Sequence, residues 1–597
     1  MTEIFFKGKE FVYNHHLAVP YRSLESVKNK GIGKPSLDKN LIIHGDNLHA
    51  LKSLLLLYAG KVDCIFIDPP YNTGNEKWCY NDNVNSPMIN EWFSSNPVGV
   101  EDGLRHDKWC SMMWPRLRLL HELLCDNGVV FACIDDNEQH RFRMMMDEIF
   151  GKENLVANFI WHHRKSSQND IDVSLSHNYI TCYARNRKAF SLNTIGIDET
   201  KFSNPDNDPR GEWVADPMDA PNVRENLTYE IVNPNTRKSH LPPTGRCWRF
   251  SKEKFNEALK DNRIIFGKTG KSKPQYKRFL IEGRKRGKNL FTIWSDVGTA
   301  TDATKDLKKI FPSNKQFPTP KPVNLLERII EVATHENSII LDSFAGTGTT
   351  AHAVLKVNKR DGGERKFILV EMEGYADNTT AERIRKAING YSFSGAQKTE
   401  LFRERLTWTK IKKATLPGFV EKIGKLHAHK YDRIDKTIKN GELIVTGIKD
   451  IKERVGGLGG GFTYCTLSDP IEFDKMLSGK HLPSYESLGR TLFHMATLCV
   501  LDSKTIKEEN FYLGIANGTH VWMKYKPDID WLKSSEAALT LDWAKQLAKK
   551  YKNKNHLVFA PACYVSRKLL NENKTSVEFV PLPYTLYDPG EIQATRN

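Results

Sequence analysis

The stretch that decides the fold is Ile340-Leu341-Asp342-Ser343-Phe344-Ala345-Gly346-Thr347-Gly348-Thr349-Thr350. A hydrophobic run comes first, a turn with two glycines follows, and an amphipathic helical pattern begins near its end. Glycine lets the backbone approach a ligand closely, and the first turn of a helix has free N–H donors. This order predicts a site for a nucleotide-like ligand at a strand end of an α/β sheet.

An acidic residue at a second predicted strand end extends this site. Glu371 lies 25 positions after Gly346 and directly follows the strand pattern of residues 366–370. A carboxylate there can accept hydrogen bonds from both hydroxyls of a ribose. Two alternatives stay open at this point, because Gly346-x-Gly348-x-x-Ala351 also satisfies the dinucleotide fingerprint and a tight turn can form without a ligand.

A third strand end carries the residues that point to a reaction, Ile65-Phe66-Ile67-Asp68-Pro69-Pro70-Tyr71-Asn72-Thr73-Gly74. Two prolines exclude helix and hold Asp68 and the Pro69 carbonyl at the carboxyl edge of the sheet. An aromatic exocyclic amine is a poor nucleophile because its lone pair is delocalised into the ring. These two acceptors can bind both N–H groups and favour the reactive pyramidal nitrogen, and Tyr71 offers a face on which a base can stack. The alternative is a plain turn after a strand.

Strand and helix patterns alternate on both sides of these motifs. Helices are predicted over Leu48–Tyr58, Met113–Leu124, Asn324–Ala333 and from Thr350, and strands over Leu41–Ile43, Val62–Ile67, Val129–Ile134, Ser338–Leu341, Phe367–Val370 and His556–Ala560. The alternation predicts a parallel α/β sheet. It breaks after about Trp161 and resumes near residue 316, so a loop-rich insertion splits the sheet.

The positive charge of the chain is concentrated in this insertion. The net charge is +16, and residues 231–290 hold 17 Lys/Arg against 4 Asp/Glu. Such a local excess favours a polyanionic partner, with a solvated loop that binds nothing as the alternative. The candidate contacts to a phosphate backbone are Arg246, Arg249, Lys271, Lys273, Lys277, Arg278, Arg284, Lys285, Arg286 and Lys288. Trp248 among them either holds an extruded strand or lies in the core.

Cysteine spacing and hydropathy exclude several classes of protein. The 10 cysteines include no C-x-x-C pair and no Cys/His cluster at zinc spacing, which favours reduced thiols. The longest aliphatic run, Leu54 to Leu57, is far too short to span a membrane. We therefore predict a cytoplasmic protein without a metal site and without a membrane partner.

Two glycine-containing segments partly resemble phosphate loops. The segment Gly267–Ser272 would need a glycine at the position of Ile265, so we predict no ATP site there. The run Gly456-Gly457-Leu458-Gly459-Gly460-Gly461 has no clear strand and helix on its two sides. A flexible turn is its expected structure, and a phosphate cradle is the alternative.

The order of the two main motifs is typical of a known family. Asp68-Pro69-Pro70-Tyr71, followed 278 residues later by Phe344-Ala345-Gly346-Thr347-Gly348, resembles the beta-class DNA adenine-N6 methyltransferases, whose target-recognition region lies between the two motifs. Finer matches resemble the modification (Mod) subunits of type III restriction-modification systems. They are His44-Gly45-Asp46-Asn47-Leu48, Asp68–Gly74, Asn204–Gly211, Pro318–Val323, Thr349-Thr350-Ala351-His352-Ala353 and, more loosely, Gly456–Tyr464.

This resemblance implies a fold, a domain plan and a reaction. The implied fold is α/β, a Rossmann-like S-adenosylmethionine-dependent methyltransferase sheet with an inserted target-recognition domain and a mixed C-terminal domain. The implied domains are an N-terminal arm at 1–40, a catalytic half at 41–160, the target-recognition insertion at 161–315, a cofactor-binding half at 316–395 and a C-terminal assembly or partner domain at 396–597. The implied reaction moves a methyl group from S-adenosylmethionine to N6 of a flipped-out adenine in double-stranded DNA.

The resemblance also implies roles for single residues. The catalytic residues are Asp68, Pro69, Pro70 and Tyr71. The S-adenosylmethionine site is formed by Asp46, Asn47, Lys321, Asp342, Phe344, Ala345, Gly346, Thr347, Gly348, Thr349 and Glu371. Asp46 and Asn47 would lie near the adenine of the cofactor, Lys321 near its methionine end and Glu371 at its ribose. For Asp46 and Lys321 a surface role is the alternative.

Partners and rival functions follow from the same comparison of motifs. The resemblance implies a homodimer and a separate restriction helicase-nuclease (Res) subunit. Cytosine-N4 relatives often carry serine at the position of Asp68, which favours adenine as the target. Two other functions remain open, a DNA-recognition scaffold in which methylation is secondary or lost, and an oxidoreductase that binds NAD.

Overall fold

The computed structural model divides into two compact units. It describes residues 3–73, 103–167, 172–267, 272–312, 319–406, 421–423, 425–427, 429–439, 441–470, 482–497, 499 and 501–582. Leu192–Phe291 forms the smaller unit, and the parts before and after it form the larger one. The smaller unit interrupts the larger one in the sequence, as an inserted domain does.

A ten-stranded sheet forms the centre of the larger unit. Its strands are β1 (Leu24–Ser26), β2 (Leu41–His44), β3 (Val62–Ile67), β4 (Leu124–Ile134), β5 (Leu155–His162), β6 (His177–Ala184), β7 (Ile293–Trp294), β8 (Ile339–Asp342), β9 (Lys366–Glu371) and β10 (Thr463–Leu467). They lie in the order β1-β10-β2-β9-β8-β3-β4-β6-β5-β7. All neighbours from β10 to β4 are parallel, so the carboxyl ends of β2, β9, β8 and β3 share one edge.

Helices connect the parallel strands and pack against them. The helices of this part are α1 (Asn47–Tyr58), α2 (Arg105–Leu123), α3 (Gln139–Met146), α4 (Ala300–Ile310), α5 (Val323–Ala333), α6 (Thr349–Asp361) and α7 (Glu382–Asn389), with short helices at Lys9–Val12 and His15–Ala18 and π-helical turns at Asp147–Gly151 and Ala376–Ala381. Strand β3 shows why the sheet forms. Cys64, Ile65 and Ile67 are all fully buried, as expected for a parallel strand that is covered on both faces.

The predicted α/β architecture is confirmed, and every helix and strand predicted above is present. Two of them begin earlier than predicted, α2 at Arg105 instead of Met113 and β4 at Leu124 instead of Val129. The sheet nevertheless extends beyond the two predicted halves at 41–160 and 316–395. Strands β1, β6, β7 and β10 lie outside them. Strand β6 pairs antiparallel with β4 and β5, and β10 comes from far along the chain, so local periodicity gave no signal for either position.

The smaller unit has short strands around its own core. Its strands are Trp213–Pro217, Asp219–Pro221, Ile231–Val232, Ser239–His240, Arg246–Trp248, Ile264–Ile265 and Gln275–Phe279, and its helices are Lys252–Lys260 and Leu280–Arg286. Met218, Trp248, Phe255 and Phe266 belong to one buried cluster. Trp248 is fully buried, so its role as a core residue is confirmed. The unit, Leu192–Phe291, covers fewer residues than the insertion predicted at 161–315.

Two further sheets lie in the C-terminal part of the larger unit. The first pairs Gly390–Arg405, Glu442–Gly456 and Arg433–Lys439, and the second pairs Tyr512–Ala516, Thr519–Met523, Asn555–Ala560 and Val577–Pro581. The helices here are Tyr485–Thr497, Ile529–Lys533, Leu541–Lys550 and Arg567–Glu572. Among the described helices, none is both long and apolar enough to cross a membrane.

Asn40 joins β10 to the rest of the sheet. Its Nδ2 donates to the Gly461 carbonyl at 2.8 Å, and its Oδ1 accepts from the Phe367 N–H at 2.9 Å. Its carbonyl accepts from the Thr463 N–H at 2.9 Å. One residue therefore fixes the amino ends of β2, β9 and β10 relative to each other.

The Asn40→Ala variant is expected to melt a few degrees below the wild type. The change leaves the Phe367 N–H and the Gly461 carbonyl without their side-chain partner. The loss lowers the free energy of unfolding by roughly 1–3 kcal/mol. Thermal unfolding followed by circular dichroism checks this, with Gln546→Ala, an exposed amide on Leu541–Lys550, as the control. Equal melting temperatures for all three proteins would contradict the role of Asn40.

Candidate active site

Polar residues from four strands meet at the carboxyl edge of the sheet. Asp46 follows β2, Asp68 follows β3, and Asp342 and Glu371 end β8 and β9. Strand β8 pairs directly with β3, through Ile340 with Cys64 and Leu341 with Ile65. This pairing brings together the two motifs that are 278 residues apart in the sequence.

The glycine turn after β8 has the backbone conformation that its glycines allow. Gly346 and Gly348 have φ values of 52° and 77°, in the left-handed region, and α6 begins immediately after Gly348. The Gly346 N–H donates to Glu371 Oε2 at 2.7 Å, and the Phe344 N–H donates to Asp342 Oδ1 at 3.0 Å. The two carboxylates therefore fix the turn between β8 and α6.

A buried arginine supports this turn from below. Arg383 on α7 is almost fully buried, and its Nη1 donates to Thr347 Oγ1 at 2.7 Å and to Thr349 Oγ1 at 2.8 Å. Burial lowers the pKa of Arg383 to about 10. The Thr380 hydroxyl donates to the Gly346 carbonyl at 2.6 Å. Arg383 was not predicted as a site residue, because nothing in the helical pattern of α7 distinguishes it from an exposed arginine.

The two acidic strand ends have unusual ionisation. Burial raises the pKa of Asp342 and that of Glu371, each to about 7. A buried carboxylate has lost part of its hydration, so its ionised form is stabilised when a ligand donates hydroxyl hydrogen bonds to it or places a positive charge nearby. The edge of β8 and β9 therefore suits a cationic ligand with a ribose.

The start of α1 closes the other side of the glycine turn. Asp46 caps the helix by accepting from the Leu48 N–H at 2.9 Å. Asn47 donates from Nδ2 to the Ser343 carbonyl at 3.1 Å and accepts at Oδ1 from Arg116 Nε at 2.5 Å. Arg116 is fully buried, and its Nη2 lies 3.5 Å from Asp46 Oδ2. Asp46 and Asn47 thus have structural roles at the edge of the site, and Arg116 was not predicted.

Asp68 lies between a lysine and a tyrosine. The Lys321 ammonium contacts Asp68 Oδ2, and the Tyr71 hydroxyl donates to Asp68 Oδ1 at 3.0 Å. Burial would lower the pKa of Lys321, but the Asp68 carboxylate outweighs it and raises that pKa. The Lys321 side chain is only 7% exposed, which excludes the surface role. The structure thus brings this lysine to the catalytic motif, and its position near the methionine end of the cofactor stays a prediction.

Two further side chains hold the Tyr71 hydroxyl. Cys133 Sγ on β4 lies 3.1 Å from it, and Asn178 Nδ2 on β6 donates to it at 3.2 Å. Burial raises the pKa of the Cys133 thiol to about 12, so the thiol is protonated at neutral pH. Strand β6, which the sequence patterns did not assign, therefore contributes to the position of Tyr71 through Asn178.

A buried carboxylate anchors the loop after β3. Glu138 is fully buried and accepts from Asn72 Nδ2 at 2.5 Å. Asn72 is also fully buried and has a φ of 58°, a strained value for a residue other than glycine. Trp109 Nε1 donates to the Pro70 carbonyl at 2.7 Å. We call Asn72, Trp109 and Glu138 the loop clasp. Glu138 also contacts His106 Nδ1 and Arg141, which offset its charge.

Most of the predicted phosphate contacts in the smaller unit have acidic partners. Arg278 and Arg284 make two-point ion pairs with Asp216 and Glu199, respectively, and Arg246 and Arg249 lie beside Asp219 and Asp216. Lys277 is 3% exposed and pairs with Asp206 and Asp208, so in this structure it is a buried residue and not a surface cation. The ammonium of Lys288 lies over the Phe291 ring. Lys273, Lys285 and Arg286 are exposed. Lys271 lies outside the described residues, as do Gly74 and Pro318 of the other motifs.

Comparison with known proteins places these motifs in one family. The family model described as "DNA methylase" matches residues 62–382, more than half of the 597 residues. The chain is 34% identical over 399 residues to the StyLTI Mod subunit of Salmonella typhimurium, covering 64% of this chain and 58% of that protein. It is 31% identical to the EcoPI Mod subunit of Escherichia phage P1, covering 68% of each chain.

A type II enzyme is also similar. The chain is 32% identical to methyltransferase M.KpnI of Klebsiella pneumoniae over 55% of this chain and 79% of that protein. Against the StyLTI Mod subunit the chain spans somewhat less than three fifths of the relative's length. The region matched by the family model, residues 62–382, contains both Asp68-Pro69-Pro70-Tyr71 and the glycine turn. On this combination of matched length, identity and site geometry, the chain belongs to the N6/N4 DNA methylase family.

Proposed function

We propose that this chain transfers a methyl group from S-adenosylmethionine to N6 of adenine in double-stranded DNA. The observation that carries the proposal is the pairing of β3 with β8, which sets Asp68-Pro69-Pro70-Tyr71 beside the glycine turn and Glu371. Two relatives are named as type III Mod subunits, and this chain has Asp68 where cytosine-N4 enzymes often have serine. Both points favour adenine as the target base.

The residues of the carboxyl edge fit S-adenosylmethionine. Glu371 accepts from the Gly346 and Glu373 N–H groups, and we expect its remaining lone pairs to accept from the ribose hydroxyls. The left-handed backbone at Gly346 and Gly348 forms the tight turn that such a site needs. Asp342 and Glu371 are buried carboxylates that suit a ligand carrying a sulfonium and an ammonium group. Phe344 is partly exposed beside them and offers an apolar surface. When bound, the cofactor supplies an electrophilic methyl group.

The amine of the target base is bound by Asp68 and the Pro69 carbonyl. Each oxygen of the Asp68 carboxylate keeps a lone pair besides the one used with Tyr71 or Lys321, so an N–H of the base can donate to it. The Lys321 ammonium pairs with Asp68 Oδ2 and holds the carboxylate in place. The proton released from N6 leaves along its hydrogen bond to Asp68, and the ring of Tyr71 stacks on the flipped-out base.

DNA recognition is proposed for the smaller unit. Lys273, Lys285 and Arg286 are exposed there and suit contacts to phosphates. The paired arginines would have to exchange their carboxylate partners for phosphates on binding. By analogy with the type III relatives, we also propose a homodimer, a Res partner for DNA cleavage, an assembly role for residues 396–597 and a cytoplasmic location.

Replacing Asp68 is expected to abolish methyl transfer while DNA binding remains. The Asp68→Asn variant keeps the shape of the side chain but loses the charge, and we expect a fall of at least about 10³-fold in tritiated methyl transfer to duplex DNA. Affinity for S-adenosylmethionine and for DNA should change less than about threefold, as measured by calorimetry and fluorescence anisotropy. Nucleoside analysis of the product should give N6-methyladenine, and N4-methylcytosine would refute the proposed target base.

The control for this experiment concerns the buried lysine. The Asp68→Ala variant leaves the Lys321 ammonium unpaired, which destabilises a protein. The double variant Asp68→Ala/Lys321→Met removes both charges and should melt closer to the wild type than Asp68→Ala does. Methyl transfer at the wild-type rate in any folded variant that lacks the Asp68 carboxylate would contradict its catalytic role.

Substitutions in the loop clasp are expected to lower kcat. The Glu138→Gln variant keeps an acceptor for Asn72 but loses the charge that faces His106 and Arg141, and we expect a roughly tenfold lower kcat with little change in KM for DNA. The Glu138→Ala variant, which loses the acceptor as well, should fall further. Asp135→Asn is the matched control, because Asp135 lies in the same segment and bonds to Asn137 instead of the loop. Wild-type kcat in Glu138→Ala would show that the clasp has no functional role.

Cofactor affinity is expected to rise with pH between 6 and 8. Burial raises the pKa of Glu371 to about 7, so this carboxyl is largely protonated at pH 6 and ionised at pH 8. Ribose hydroxyls donate best to the ionised form, and one-proton linkage predicts up to about a tenfold change in Kd per pH unit below that pKa. Calorimetry at pH 6, 7 and 8 measures this. The Glu371→Gln variant should bind more weakly and lose this part of the pH dependence, and an unchanged slope would contradict the assignment.

A further inference from the structure

A second cleft lies at the opposite edge of the parallel sheet. It has a volume of about 640 Å³ and is lined by the residues around the amino ends of β2, β9 and β10, by the end of α6 and by the glycine run. The candidate active site lies at the carboxyl ends of these strands. The two sites are therefore separated by the length of the strands.

The glycine run forms a fixed wall of this cleft. The Leu458 and Gly459 N–H groups donate to the carbonyls of Ala387 and Ile388 at 2.9 and 3.1 Å, and Asn40 Nδ2 donates to the Gly461 carbonyl. Phe462 pairs with Ile32 through two backbone hydrogen bonds of 2.9 and 3.0 Å. These anchors contradict the flexible turn that the sequence alone suggested for this run.

The backbone of this wall is open at Gly459 and at Gly33 of the facing loop, whereas an added Cβ at Gly460 would lie 3.3 Å from Leu355 Cδ2 and one at Gly461 would lie 2.5 Å from the Ile32 carbonyl. Gly459 and Gly460 have φ values of 80° and 92°, and Gly33 on the facing loop has 92°. An added Cβ at Gly459 or Gly33 would meet no atom within 4 Å. Within the described part of the chain, the N–H groups of Gly460 and Gly461 donate to no acceptor. Successive exposed N–H groups of this kind bind anions.

Lysines give the cleft a positive charge. Lys34, Lys39, Lys359 and Lys366 line it together with Arg365, against one carboxylate, that of Glu364. Lys359 donates to the Gly457 carbonyl, and Arg365 pairs with Asp361. The ammonium groups of Lys34, Lys39 and Lys366 have no hydrogen bond or ion pair with any described residue. The negative end of α6 also reaches the cleft, and Lys359 in its last turn offsets it.

We propose that this cleft binds a phosphate group through Lys34, Lys39, Lys366 and the backbone of Gly460 and Gly461. The combination of unpaired ammonium groups with free N–H donors is the chemistry that recognises phosphate. The volume falls within the range of sites for small ligands such as a nucleotide. The phosphate can belong to a free nucleotide or to the backbone of DNA, and the experiment below distinguishes these two sources.

The test compares two double variants of equal charge change. Lys34→Ala/Lys39→Ala removes two exposed lysines of the cleft, and Lys545→Ala/Lys549→Ala removes two exposed lysines of the helix Leu541–Lys550. Calorimetry of the full chain with pyrophosphate, and with ATP without a divalent cation, measures binding. We expect the cleft variant to bind at least about tenfold more weakly than the wild type, and the control variant to bind like the wild type.

The second arm of the test uses a 30-bp DNA duplex. If the source is a free nucleotide, ATP binds more tightly than pyrophosphate and both double variants bind the duplex equally. If the source is the DNA backbone, the cleft variant alone loses duplex affinity and shows a smaller dependence of that affinity on salt. Either result supports a phosphate site in the cleft.

Two readouts keep the proposal falsifiable. Melting temperature and S-adenosylmethionine affinity report whether each variant is folded, and Lys366→Gln provides a single change in the cleft if the double variant is unstable. The contrary result is that the cleft and control variants bind pyrophosphate, ATP and the duplex with the same affinities, and that Lys366→Gln also binds with wild-type affinity. That result would overturn the proposal.

Discussion

The parallel pairing of β3 with β8 is the constraint on which the site depends. Only two residue pairs, Ile340 with Cys64 and Leu341 with Ile65, define this contact, yet they join segments almost 280 residues apart in the sequence. Because parallel strands end at the same edge, the contact fixes Asp68 next to the glycine turn. The apolar side chains of both strands are buried on both faces, so the register cannot slip without exposing them. Burial of these apolar side chains therefore fixes the position of Asp68 relative to the glycine turn.

Several charged side chains at the carboxyl edge of the sheet have charged or polar partners within the site. Lys321 faces Asp68, Arg116 faces Asp46 and Asn47, and Glu138 faces His106 and Arg141. Burying such groups is unfavourable unless each of them is paired, which makes the arrangement rigid. Donors and acceptors that are already in position need little reorganisation during a reaction. Asp342 and Glu371 differ, because their partners are backbone N–H groups and a hydroxyl and not a positive charge, and burial raises the pKa of each to about 7.

The sequence predicted the fold and the location of the site better than the contacts within the site. Helical periodicity and apolar strand patterns identified α1, α2, α5 and α6 and the parallel strands β2, β3, β4, β8 and β9, because burial on one or both faces leaves a local record in the sequence. The two motifs identified the edge at which the structure brings their residues together. The contact between Lys321 and Asp68, the loop clasp and Arg383 could not be predicted, since each depends on side chains from distant segments. Likewise, the charge count of the insertion did not reveal that Lys277 is buried and that most of its arginines pair with carboxylates.

The central claim is that one edge of the sheet combines cofactor binding with activation of an adenine amine. Modification-sensitive sequencing of genomic DNA from methylation-free cells that express this chain tests it most directly, with cells that carry the empty vector as the reference. We predict N6-methyladenine at one short recurring sequence, present only when the chain is expressed. Genomic DNA without any new modified base, from cells that contain the folded and soluble protein, would contradict the claim for this chain acting alone.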